Sequence, residues 1–85
     1  MPRYHLNLFN DVEALDEEGC EYPGLAAARS DAIRSAREIL AEDVNAGRPL
    51  NLDHHINITD DQGKVLAIVR FREVVTILDG ESPQK

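Results

Sequence analysis

Residues Leu25 to Ala46, LAAARSDAIRSAREILAEDVNA, constrain the fold more than any other stretch of the chain. Leu25, Ala28, Ala32, Ile33, Ala36, Ile39, Leu40 and Val44 recur at the helical period and gather on one broad face. Asp31, Arg34, Arg37, Glu38 and Glu42 fall outside it, where water can reach them. Ala, Leu, Arg and Glu are strong helix formers, and no proline interrupts the run. Pro23-Gly24 punctuates the start, Gly47 suits the left-handed position past the end, and Pro49 forbids continuation. The predicted rod is about 33 Å long, enough to cover a small sheet. Arg29 sits near the middle of the apolar face, which predicts a packed stem whose head reaches the carboxylates of Asp16 to Glu18.

The flanking segments read as β-structure. Arg3 to Phe9 alternates Tyr4, Leu6 and Leu8 against Arg3, His5 and Asn7, the period of a half-buried strand. Val12 to Leu15 and Cys20 to Tyr22 read as the two arms of a hairpin. The turn between them, Asp16-Glu17-Glu18-Gly19, is acidic and closed by glycine. After the helix, Leu52 to Thr59 alternates again, Asp60-Asp61-Gln62-Gly63 turns, and Lys64 to Val75 follows as a longer strand. The expected order is β-hairpin–α–β-hairpin: an α+β fold with an antiparallel sheet of three to five strands and one long helix packed across one face. Residues 1–78 read as one domain and 79–85, DGESPQK, as a polar C-terminal tail.

The last strand carries more apolar surface than one helix can cover. Val65, Ala67, Val69 and Phe71 form one parity, and Leu66 and Ile68 the other. Val74, Val75, Ile77 and Leu78 extend the apolar run. Either this end folds back onto its own domain, or Leu66, Ile68, Val74, Val75, Ile77 and Leu78 form a subunit or partner interface.

With 85 residues the chain is near the lower end for a self-sufficient core, so oligomerisation is a natural supplement. A formal charge of −7, from 9 basic and 16 acidic residues, repels nucleic acid and anionic membrane at long range. The single cysteine, Cys20, excludes an internal disulfide. No secretory leader and no apolar stretch of membrane-spanning length is visible, so a cytoplasmic location is expected.

Several spaced elements resemble a small bacterial family of unknown function. They are Pro2-Arg3-Tyr4, then Asp16-Glu17-Glu18-Gly19 with Glu21, Pro23 and Leu25, then Ala27-Ala28-Arg29. The family's marks are a PRYFF-like start, a DEEG-x-E-x-P-x-L segment, an alanine-rich helix and a later V-x-D-x-x-G-x-V hairpin, matched here by Ile58 through Val65. The likeness spans roughly residues 2–72, and His5 and Leu6 stand where aromatics are usual. It implies a fold and carries no activity over.

Candidate chemistry is sparse. His54 and His55 are adjacent on a strand and face opposite ways, and no HxH, CxxC or HExxH spacing occurs, so no metal or other cofactor is expected. Glu17, Glu18 and Glu21 surround Cys20 with charge that disfavours a thiolate. The two acidic turns lack the ligand spacing of a calcium loop. No nucleophile, base and oxyanion donor fall together, so the chain reads as a non-enzyme. If Tyr4, Leu6 and Leu8 face the helix, then Arg3, His5, Phe9, His55, Arg70 and Arg72 form a basic patch on the open sheet face. The expectation is a small domain acting by protein–protein contact or self-association as a homo-oligomer. Nucleic-acid or anion binding by the open face is the alternative, opposed by the net charge.

Overall fold

The computed structural model describes residues 1–11 and 13–78. Val12 and the expected tail at 79–85 lie outside the described residues. In chain order the elements are β1 (Arg3–Phe9), β2 (Glu13–Ala14), β3 (Cys20–Glu21), α1 (Leu25–Ala46), β4 (His55–Thr59), β5 (Val65–Arg70) and a short helical turn, α2 (Phe71–Val74). The five strands form one antiparallel sheet, and α1 packs across one face of it. The α+β expectation holds.

β1 and β4 form the centre of the sheet, with β5 beyond β4. β2 and β3 share the other side of β1. This corrects the expected hairpin: β2 and β3 do not pair with each other but dock in succession on β1, Leu8 opposite Ala14 and Tyr4 opposite Cys20. Strands of two residues each bury too little to stand as a hairpin, whereas the seven residues of β1 offer a full edge.

Ala28, Ala32 and Ala36 have no exposed surface, and with Leu40 they make one i, i+4 row along α1. Small side chains bring the helix close to Tyr4, Ile56, Ile58 and Val69 on the sheet. Leu25 and Val44 stay exposed, so the buried stripe is narrower and shorter than the eight-residue face. The reason is length: the longest strand has seven residues, about 23 Å, and a 22-residue helix overhangs it. Gly47, at φ 73°, caps the C-terminus, and its N–H meets the carbonyls of Asp43 and Val44. Tyr22 closes the other end, donating its hydroxyl to Asp31 Oδ2 at 2.6 Å.

The strand expected over Lys64–Val75 stops at Arg70. Phe71 N–H donates to the His54 carbonyl at 2.9 Å, and Arg72 N–H to the Leu52 carbonyl at 3.2 Å, which turns the chain under the helix. Phe71 and Val74, three apart, then share a face and enter the core. Arg37 Nε holds the turn from α1 by donating to the Val74 carbonyl at 2.9 Å. Full burial of Phe71 contributes about 1.5–3 kcal/mol, which a straight strand running past the helix would forgo. Among the described residues no helix is long and apolar enough to cross a membrane.

Candidate functional site

Strand register decides what the uncovered face presents. Leu6 and Leu8 lie opposite Ile58 and Ile56, on the helix side. The alternate residues, Arg3, His5, Asn7 and Phe9 of β1 with His55, Asn57 and Thr59 of β4, therefore lie on the face away from the helix, joined by Ile68 and Arg70 of β5, with Thr59 buried there. Five of the six predicted patch residues share this face. Arg72 does not: it lies on α2 and pairs with Asp53.

The patch is not a free basic surface. Arg3 stands 3.8 Å from Glu21 and donates to the Glu18 carbonyl at 2.9 Å. Arg70 pairs with Glu73 at 3.9 Å, and His5 lies 2.8 Å from Asp61. Phe9 stacks on His55, with centroids 5.1 Å apart and planes at 21°. Each arginine already has a carboxylate, which weakens the electrostatic pull on a phosphate or other anion.

Asp16 organises the neighbouring edge. Between β2 and β3 the β1 backbone has no strand beside it, and there Asp16 Oδ2 accepts the Leu6 N–H at 3.2 Å. Its Oδ1 accepts Gly19 N–H at 3.0 Å, and its own N–H donates to Asn7 Oδ1 at 2.8 Å. Its carbonyl lies 2.7 Å from His5 Nδ1. The carboxylate thus plugs the gap between β2 and β3. The expected tie from Arg29 to these acids is absent: among the described residues no ion pair joins them, and Arg29 is exposed. Asp16 is engaged by backbone instead. The Asp-x-x-Gly spacing shared with Asp60 to Gly63, where Asp60 Oδ1 accepts Gln62 and Lys64 N–H at 2.9 Å each, is the signal that marks both aspartates as turn builders.

The opposite edge of the sheet differs. Leu6 N–H points away from β4, so alternation along the ladders turns the backbone groups of Ile58 and Ala67 toward each other and those of Ile68 away from β4. Phe71 N–H, three residues on from Ile68, meets β4's flank at His54 and agrees with that parity. Glu73 Oε1 covers the outward Arg70 N–H at 3.4 Å. Among the described residues, no partner meets the outward N–H and C=O of Ile68. Around them Val65, Leu66 and Ile68 are 46%, 36% and 38% exposed. Of the other apolar residues singled out near this end, Val74 is buried and Val75 is packed against the core, while Ile77 and Leu78 are exposed.

Elsewhere a polar cleft beside the end of α1 is lined by Asp11, Glu42, Asp43, Arg48 and His54. Asp43 pairs with Arg48 at 2.9 Å and Asp11 stands 3.5 Å from His54, whose ring meets Phe71 edge-on. Cys20 is a free, exposed thiol. Among the described residues no three His, Cys, Asp or Glu side chains converge as metal ligands.

The family described as Domain of unknown function (DUF6894) matches residues 3–72. The chain belongs to this family. The matched span runs from the start of β1 into α2, so the Asp16 plug, the helix and the bare β5 edge all belong to the family domain. No curated protein and no solved structure matches the chain.

Proposed function

We propose that this domain is non-enzymatic and acts by protein contact, through association of two copies along β5. The observation that carries the reading is the contrast between its sheet edges: β2, β3 and Asp16 occupy one, while Ile68 leaves the other open beneath apolar side chains. Unpaired strand edges with apolar flanks recruit another strand. A second copy fits because antiparallel pairing about a two-fold axis is self-complementary. With Ile68 opposite its own counterpart, each copy gives one N–H and takes one C=O, and the Val65, Leu66 and Ile68 side chains of both copies lose water together. A free, exposed Cys20 fits a reducing compartment such as the cytoplasm.

Gel filtration with light scattering over a concentration series tests this. The expected result is a mass rising from one chain to two. Ile68→Pro deletes the outward N–H without touching the β4 ladder, since proline is accepted on an edge strand, and holds the protein at one chain. A wild-type chain that stays monomeric at high concentration overturns the reading. Binding of nucleic acid through the outer face is the rival; its support is confined to Arg3 and Arg70, each already facing a carboxylate.

A further inference from the structure

The two acidic turns, far apart in sequence, meet at one imidazole. His5 Nδ1 lies 2.7 Å from the Asp16 carbonyl oxygen and His5 Nε2 lies 2.8 Å from Asp61 Oδ1. Both contacts are hydrogen-bond acceptors, and a neutral imidazole has one N–H. Both bonds form together only when both ring nitrogens carry a proton. The ring is held in place: its side chain is only 15% exposed, and a Cβ added at Gly19 would come within 2.9 Å of its Cε1.

We propose that His5 is a proton-dependent latch, an imidazolium that ties the 16–19 turn and β1 to the 60–63 turn leading into β5, and that losing its proton releases the Asp61 side. The groups facing it support the charged form. Asp16 and Glu17 from one turn and Asp60 and Asp61 from the other line the same shallow depression, and Arg3, on the same face of β1, is drawn off to Glu21 and Glu18. The hydrogen bond to Asp61 first, then that to Asp16, raise the His5 pKa from 6.5, against partial desolvation. Asp61, more than half exposed, can swing into water, whereas the Asp16 carbonyl is fixed by the turn; the neutral ring keeps its one N–H on Asp16.

The sign follows from linkage. A folded pKa raised above the unfolded value of 6.5 makes the latch fully effective below pH 6.5 and removes it as pH rises through the folded value. This inference is independent of whether the chain associates. Heteronuclear NMR of the His5 ring, with Tm measured from pH 5 to 9 (a range set around the histidine switch), tests it on the full chain and on Asp61→Asn, an exposed position where folding is retained. Expected are a wild-type His5 that titrates above 6.5, a lower His5 pKa in D61N, and a wild-type Tm advantage over D61N that shrinks as pH rises. A wild-type His5 that titrates at or below 6.5, or keeps the same pKa in D61N, overturns the latch.

Discussion

Single residues at the start of the sheet do several tasks at once. Gly19, at φ 72°, has Arg3 Cγ and His5 Cε1 at 2.9 Å and the Tyr4 carbonyl at 3.0 Å from where a Cβ would be. Gly19→Ala combines a left-handed backbone with a contact on main chain, and urea unfolding is expected to show a loss of about 1–3 kcal/mol. Asn57 makes the opposite case. Among the described residues no hydrogen-bond partner meets its buried Oδ1, on a strand where a β-branched residue would fit. Asn57→Val is expected to raise Tm, because an unmet buried acceptor costs about 1–3 kcal/mol; a lowered Tm would show that this amide has a role the buried oxygen does not reveal. The glycine turn was legible from Asp-Glu-Glu-Gly alone. The plug that Asp16 makes was not, because it depends on a gap in β1's edge that exists only once β2 and β3 have docked.

Elements with strong local periodicity came out where their residues put them: β1 over Arg3–Phe9 and α1 over Leu25–Ala46. Two-residue strands carry no period, so the partners of β2 and β3 could be decided only by what else was present. The end of β5 was hidden for a different reason. Phe71, Val74 and Val75, apolar residues set around Arg72 and Glu73, suit a strand or a buried turn equally, and the choice rests on the packing under α1. Phe71→Ala is expected to cost about 3–5 kcal/mol in chemical denaturation, as for any fully buried aromatic. Ala32→Leu tests the helix from the other side. With no exposed surface at Ala32, added methylenes push α1 off the sheet and destabilise by about 1–3 kcal/mol, while the same change at exposed Ala41 is near neutral.

Across the whole molecule, charge opposes association and apolar surface favours it. Two copies carrying −7 each repel, so salt that screens them is expected to tighten pairing along β5. Binding to nucleic acid responds in the reverse sense, weakening steeply as salt is added. Light scattering at low and high ionic strength thus separates the two readings by sign. Tm should also rise with protein concentration, because pairing stabilises only the folded chain.

The asymmetry of the sheet edges has a consequence for stoichiometry. A sheet bare on both sides can add copies at either flank and grow into a fibre. Here the other flank is two strands of two residues each with the Asp16 carboxylate between them, too short to template a further strand, so growth by strand addition from a pair formed at β5 is expected to terminate at two.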